Sequence, residues 1–186
     1  MNISKGFSLI EVLVTLLLVT LGILGMVAMQ SRGIQYTQDS VQRNSAVELS
    51  NQFIDMMRAN PAALFDELPP DFPATGKLKS SSLFFKNKGS NFSPAPTVPT
   101  ANACLNPTTT ELQRNCWIEQ VKNRLPDGAA LLTPQFYICR SSSPGNCDDQ
   151  GSTVEIQLAW QVKKDTCPDT RVPNPTTCIY RTRIEL

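Results

Sequence analysis

An uninterrupted apolar run near the N-terminus constrains this chain more than any other feature. FSLIEVLVTLLLVTLGILGMVAM covers 23 residues, Phe7 to Met29, and Glu11 is the only ionisable side chain within it. As an α-helix the run would be about 35 Å long, enough to cross the hydrocarbon core of a bilayer, which is about 30 Å thick. The sequence therefore predicts a membrane anchor.

The residues before this run differ from an ordinary secretory signal peptide. In such a peptide the small-residue cleavage site follows an apolar stretch of about 7 to 15 residues. Here the basic start MNISKG is very short, and its glycine, Gly6, precedes the apolar run. Lys5 also precedes the run, and the next basic residues are Arg32 and Arg43. The positive-inside rule therefore favours a cytoplasmic N-terminus and an exported C-terminal domain.

At these residues the chain resembles a type IV pilin. A short basic leader, Gly6, Phe7 and a glutamate four residues later, Glu11, match the class III signal of that family. The resemblance implies that a prepilin peptidase cuts between Gly6 and Phe7 and methylates the new amino group of Phe7. The alternative is a plain single-pass anchor with an incidental glutamate.

Glu11 is the one charged side chain in the run. A carboxylate near the centre of a bilayer costs about 2.5 to 3.5 kcal/mol on insertion scales, so such a group needs a partner. In the pilin family the partner is the N-terminal ammonium of a neighbouring subunit, and the pair sets the axial register of assembly. Alternatively, Glu11 lies one turn inside the cleaved N-terminus, snorkels to the interface and gains from the positive end of the helix dipole.

Beyond Met29 the pattern becomes amphipathic, and a single helix is expected to continue to Ala59. Asn60-Pro61 ends it, because the residue before a proline disfavours helical geometry. Such a helix would be about 80 Å long, and any kink would centre on its glycines, Gly22, Gly25 and Gly33. Its amphipathic face consists of Ile34, Val41, Ala46, Leu49, Phe53 and Met56 or Met57. The predicted organisation is a leader at 1–6, a transmembrane or assembly half at 7–31, an amphipathic half at 32–60 and an exported disulfide-containing globular domain at 61–186.

The six cysteines all lie beyond residue 103, and no CxxC pair occurs. A thioredoxin-like site and a zinc ribbon are therefore not predicted. An even count favours disulfides in an exported, oxidised domain, with reduced cysteines in a core as the alternative. Connectivity does not follow from the count alone, but neighbouring cysteines are separated by 12, 8 and 11 positions. Local pairing is therefore the prediction: Cys104 with Cys116, Cys139 with Cys147 and Cys167 with Cys178.

A second helix is predicted after a long stretch of loop composition. It begins at a capping box formed by Thr108 and Glu111, and it ends at Pro126-Asp127-Gly128. In the preceding residues, 61–103, only positions 83–85 are expected to be buried. The PTVP sequence at 96–99 fits the PxxP recognition pattern, but we expect an extended surface loop there.

Three strands are predicted after the second helix, over 129–140, over 152–163 and from Cys178 to the C-terminus. In the second strand apolar residues alternate with Glu155, Gln157 and Gln161, which is typical of a sheet with one buried face. The fold class is therefore α+β: a long N-terminal helix with an apolar first half, packed on a small antiparallel β-sheet with a second short helix.

The C-terminal part narrows the resemblance. CWIEQVKNRLPDG at 116–128 and STVEIQLAWQVKK at 152–164 look like the PilV group of minor pilins. That resemblance implies a low-abundance subunit that helps prime or modify type IV pilus assembly, with roles in twitching motility and cell adhesion. The implied location is the inner membrane, with the globular domain in the periplasm, and then the pilus fibre near its tip. The implied partners are other minor pilins, the major pilin, the prepilin peptidase and a large tip adhesin.

Composition argues against other classes. The chain has no histidine, and its 17 basic and 16 acidic residues leave a net charge of +1. Without histidine, the sequence predicts neither histidine-based catalysis nor histidine-ligated metal. A net charge near zero does not predict nucleic-acid binding. We predict no catalytic residue, cofactor or metal, and Asp148-Asp149 is interpreted as a hairpin tip. Two alternatives stay open: a minor pseudopilin of a type II secretion system and a membrane-anchored exported enzyme. Three disulfides and the extra loop length favour the pilus.

Overall fold

The computed structural model describes residues 8–68, 78–164, 167 and 175–186. The chain divides into two compact units, Met1–Gln38 and Asp39–Leu186. The fold is α+β and pilin-like, as predicted, with a long apolar N-terminal helix, short helices and a small antiparallel sheet. In chain order the elements are α1 Leu9–Ala59, α2 Pro61–Leu64, α3 Ala101–Leu105, α4 Thr110–Arg124, α5 Gly128–Leu131, β1 Tyr137–Arg140, β2 Thr153–Gln161 and β3 Thr177–Glu185.

Helix α1 confirms the predicted long N-terminal helix, and it is unbroken at its three glycines. Asn60 ends it. The Asn60 side-chain nitrogen donates to the Met56 carbonyl and to the Gln113 side-chain oxygen, each at 2.8 Å. Its side-chain oxygen accepts from the Thr110 hydroxyl at 2.8 Å. Asn60 therefore both terminates α1 and joins it to the first turn of α4.

In the first unit, the apolar side chains of α1 are exposed. Every residue from Ser8 to Ser31 is exposed, including Leu9 at 80% and Met29 at 79%. In the part of the chain that the structure describes, α1 is the one helix that is long and apolar enough to span a membrane, judged by length and composition.

In the second unit, α1 contributes one face to the hydrophobic core. The buried face begins at Ala46, and the indole nitrogen of Trp117 donates to the Leu49 carbonyl at 2.8 Å. Val41 remains 53% exposed, so the prediction that it belongs to the packed face was wrong. Ile34 lies in the first unit and is 59% exposed there. Helical spacing identifies an apolar stripe, but it does not say how far along the stripe a covering element extends. The buried apolar residues of α1 are Ala46, Leu49, Phe53, Ile54 and Met57.

Helix α4 begins one residue later than predicted. Thr109, not Thr108, is the N-cap, and its hydroxyl accepts from the Leu112 backbone nitrogen at 3.2 Å. Glu111 is then the second helical residue. The predicted capping box does not form, because that motif requires the acidic residue at the third position.

The strands form one antiparallel sheet in the order β1-β2-β3. Strands β2 and β3 agree with the prediction, but β1 is much shorter than the predicted 129–140. Residues 128–131 are helical instead, and the backbone nitrogens of Gln135 and Phe136 donate to the Leu131 carbonyl at 3.0 and 3.3 Å. Pro134 has no N–H to donate to a ladder, so the strand begins after it.

The polar face of the sheet is also buried, which corrects the prediction of a single buried face. Glu155 and Gln157 are 0% and 2% exposed, although they point away from Ile156 and Leu158. Residues 141–147 and the arginines of β3 contact this face. The alternation correctly predicted which residues share a face, but it did not predict that other parts of the chain cover the polar face.

Of residues 61–103, the described ones, 61–68 and 78–103, have little regular structure, as predicted, yet they contribute more to the core than expected. Phe84 is buried at the predicted position, and its ring packs edge-on against Phe53 with centroids 5.6 Å apart. Leu64, Leu78 and Phe92 are buried as well. Isolated apolar residues in loop-like sequence gave no periodic signal for this.

Candidate functional site

The first turn of α1 places one carboxylate among exposed apolar side chains. The backbone nitrogens of Glu11 and Val12 donate to the Ser8 carbonyl at 3.0 and 3.3 Å, so Glu11 lies in the first helical turn. Glu11 is exposed, and its neighbours Ile10 and Val12 are 69% and 45% exposed. The carboxylate is therefore accessible to a cationic group that another molecule presents.

The hydroxyl groups of this part of α1 are satisfied within the helix. Thr15 and Thr20 donate to the carbonyls of Val12 and Leu17, each at 2.9 Å. A helix in an apolar medium has to satisfy its own polar groups. These threonines are therefore compatible with lipid or with a neighbouring apolar helix, and Glu11 is left as the charged group.

The exposed apolar surface of α1 needs a cover. Soluble monomers rarely expose a contiguous apolar patch larger than a few hundred Å². The exposed side chains from Leu9 to Met29 make such a patch on all sides of the helix. Lipid or other protein chains must therefore surround it. The predicted cleavage and methylation residues, Gly6 and Phe7, lie outside the described residues.

The structure contains the three predicted disulfides. Cys104–Cys116 joins α3 to α4, with its Cα atoms 5.6 Å apart. Cys139–Cys147 closes the loop after β1, with a Cα separation of 5.5 Å. Cys167–Cys178 joins the β2–β3 connection to β3, again at 5.6 Å. Each bond therefore closes a short local loop in the second unit.

A buried carboxylate at the centre of the sheet's polar face was missed by the sequence analysis. Glu155 is fully buried and accepts from the Tyr137 hydroxyl at 2.6 Å and from the Gly145 backbone nitrogen at 2.8 and 3.0 Å. The Nε atoms of Arg181 and Arg183 lie 3.3 and 3.4 Å from its oxygens. The sequence did hold one signal for this ion pair: β2 and β3 carry opposite charges at facing positions, because Glu155 is in register with Arg183.

The Glu155 carboxylate also fixes the loop that the Cys139–Cys147 disulfide closes. Gly145, within that loop, has φ +81°, a left-handed conformation that favours glycine. A Cβ atom there would lie 2.8 Å from a guanidinium nitrogen of Arg181. The left-handed conformation therefore favours glycine at this position, and any larger side chain would also displace the Arg181 guanidinium.

Lys86 is a second buried charged group that the sequence did not reveal. Its ammonium donates to the carbonyls of Asn87 and Thr133 at 3.2 Å and of Phe136 at 2.7 Å. Burial lowers the pKa of Lys86 to about 8. The ammonium joins the loop after Phe84 to the segment before β1, and this role is structural.

Asp148 organises the loop after β1. Its carboxylate accepts from the backbone nitrogens of Ser142 and Gln150 at 3.1 and 3.0 Å, from the Ser142 hydroxyl and from the Asn146 amide. The Ser142 hydroxyl contributes most to holding the pKa of Asp148 below its usual value. Within the described ranges, no group of three or more Cys, Asp or Glu side chains is placed to hold a metal ion.

The N-terminal residues match a known family model. Residues 1–27 match the prokaryotic N-terminal methylation motif. No curated protein and no solved structure matches the chain. The motif implies a membrane-anchored substrate of a prepilin peptidase that assembles as pilins do. Together with the long apolar helix, the sheet and the disulfides, it supports a type IV pilin-like protein, either a pilin or a pseudopilin.

Proposed function

We propose that this protein is a minor pilin of the PilV type, a subunit that helps prime or modify type IV pilus assembly near the pilus tip. One observation carries the proposal. The chain joins an exposed apolar helix, with Glu11 in its first turn, to a globular unit that three disulfides stabilise. The PilV-like sequences in α4 and β2 support the assignment to the minor pilins.

Assembly follows from the chemistry of the N-terminal segment. Removal of the leader leaves a methylated, positively charged amino group at Phe7, four residues before Glu11. In the fibre, the Glu11 carboxylate of one subunit pairs with the Phe7 ammonium of its neighbour. Contacts between the apolar side chains of the two helices replace their contacts with lipid. The buried ion pair sets the axial register of the two helices.

The proposed location changes with assembly. Before assembly the protein spans the inner membrane once, with its leader in the cytoplasm and its globular unit in the periplasm, and afterwards it lies in the pilus fibre. Lys5 before the apolar run supports this orientation. The disulfides suit an oxidising compartment. The proposed partners are other minor pilins, the major pilin and a tip adhesin.

We also propose that the protein is not an enzyme. A groove of about 410 Å³ in the second unit is lined by Gln52, Asp55, Met56, Ala59, Cys104, Pro107, Gln113, Cys116, Trp117 and Gln120. Among these, Asp55 is the one ionisable side chain, since both cysteines form a disulfide. A groove with this lining has neither an acid–base pair nor an activated nucleophile.

A minor pseudopilin of a type II secretion system is the second candidate, because the methylation motif and the long apolar helix suit both classes. A strain that lacks this protein separates them, with the same strain complemented by the full chain as the control. Loss of pili and twitching motility, with normal secretion of exoproteins, is expected. Loss of secretion with normal pili would support the pseudopilin, and a strain that retains both activities would contradict both candidates.

A further inference from the structure

The Cys104–Cys116 disulfide borders the open groove of the second unit. Both cysteines line this groove of about 410 Å³, together with Gln52 from α1 and Gln120 from α4. Cys104 is half-buried, and Cys116 is 6% exposed. A small thiol that enters the groove can therefore reach this bond while the protein stays folded.

Thiol–disulfide exchange also needs a good leaving group. The attacking thiolate displaces the second sulfur as a thiolate, and the reaction is faster when that leaving thiolate is more stable. Cys116 would leave beside the groove, where water can solvate its sulfur, whereas burial in apolar surroundings disfavours a thiolate. Asp55 is the ionisable side chain of the groove, but it is exposed, so solvent and salt screen its repulsion of an approaching thiolate.

The other two disulfides have poorer leaving groups. Each has one half-buried cysteine that a thiol could attack, Cys147 or Cys167. The sulfurs that would then leave belong to Cys139 and Cys178, which are 1% and 0% exposed. A carboxylate oxygen of Asp39 also lies 3.6 Å from Cys178 Sγ, and a negative charge disfavours a thiolate beside it. Both bonds should therefore resist thiols while the protein stays folded.

The Cys104–Cys116 bond attaches α3 to α4 at a place with little other packing. The residues of α3, Ala101–Leu105, are exposed or half-buried. Helix α4 has further attachments, since the Trp117 indole donates to the Leu49 carbonyl and the Gln113 side chain accepts from Asn60, each at 2.8 Å. Breaking the disulfide should therefore free α3 and leave α4 packed in the core.

We propose that the Cys104–Cys116 disulfide is a thiol-exchange site, which a dithiol opens on the folded protein to release α3 from α4. One thiolate of the dithiol attacks Cys104 Sγ, the bond to Cys116 breaks, and the Cys116 thiolate takes up a proton. The second thiolate then closes the disulfide of the dithiol and displaces the Cys104 thiolate, which is protonated in turn. The dithiol loses two electrons and two protons, and the protein disulfide gains them as two thiols. The inference goes beyond the proposed function and does not depend on it.

The test uses the detergent-solubilised full chain and dithiothreitol, without denaturant. After timed exposure, free thiols are alkylated and mapped by mass spectrometry, while tryptophan fluorescence reports whether the protein stays folded. Cys104 and Cys116 should become alkylated about tenfold faster than the other four cysteines, or faster still. Hydrogen exchange should then increase in α3 and stay unchanged in α4.

Two variants at exposed positions of α4 test the role of the groove. Gln120→Trp places a large side chain in the groove, so it should slow the opening of Cys104–Cys116 by about threefold or more. Asn123→Trp is the matched control, because it adds the same side chain to the same helix outside the groove lining, and the rate should stay unchanged.

Four results would overturn the proposal. Another disulfide could open first, or all three could open together as the protein unfolds. The two tryptophan variants could slow the reaction equally. Hydrogen exchange in α3 could stay unchanged after the bond has opened.

Discussion

Replacing Glu155 with glutamine removes the negative charge between two arginines and keeps the shape of the side chain. Breaking a fully buried ion pair costs about 3 to 5 kcal/mol. Here Arg181 and Arg183 keep 18% and 30% of their side chains exposed, and they retain bonds to Gln157 and Ser141. We therefore expect the free energy of unfolding to fall by about 2 to 3 kcal/mol.

The measurement is thermal unfolding of the detergent-solubilised full chain, followed by the fluorescence of Trp117 and Trp160. For a unit of this size, the expected loss lowers Tm by about 4 to 12 °C. Arg124→Gln is the control, because it breaks the exposed ion pair between Arg124 and Glu48. Exposed pairs contribute little, so Tm should stay unchanged in that variant.

Tyr137→Phe separates the charge from the hydrogen bonds. It removes the hydroxyl that donates to Glu155 at 2.6 Å but leaves the carboxylate beside both arginines. We expect it to cost less than Glu155→Gln, about 1 to 2 kcal/mol. If Glu155→Gln unfolds at the parental temperature, or if Tyr137→Phe costs more, the charge is not what stabilises this face of the sheet.

Three further measurements address the other groups. Intact-mass analysis of the membrane form should show loss of Met1 to Gly6 and one methyl group on Phe7, and a retained leader would contradict the cleavage site. Glu11→Gln should lower surface pilus yield while membrane level and leader cleavage stay normal, and a normal yield would exclude the pairing role. Burial lowers the pKa of Lys86 from 10.5 to about 8, so the folded state loses this proton at a lower pH than the unfolded state. Stability should therefore rise with pH between these values, and Lys86→Met should abolish that part of the rise in urea titrations.

The long helix and the disulfide pairs were predictable because their signals are local. The apolar run is continuous. The helix ends at Asn60-Pro61 because a residue that precedes proline disfavours helical geometry, and this follows from the two residues alone. Strand β2 was predictable in the same way, from alternation over nine residues. Each of these inferences needs only neighbouring residues.

The buried charged residues could not be predicted, because their partners are distant in the sequence. Lys86, Arg114 and Glu155 lie beside apolar residues, but nothing in the local sequence shows that the charged side chains are themselves buried, because each is bonded to groups far away along the chain. Charged side chains are assigned to the surface unless a specific partner is known. The PTVP segment shows the same limit: the motif is visible in the sequence, but the bonds from Arg114 and Asn115 of α4 to Pro94 and Thr97 are not.

The three disulfides have a consequence for how the globular unit is made. Each bond joins two cysteines that are consecutive in the chain, with separations of 12, 8 and 11 residues. Short loops close with little loss of entropy, so a cysteine meets its native partner first. The exported part of the chain crosses the membrane from its N-terminal end, so the cysteines reach the oxidising compartment in sequence order. An oxidant that pairs them two by two in that order forms the three native disulfides, and no disulfide isomerase is needed. The order of synthesis and the order of oxidation are then the same.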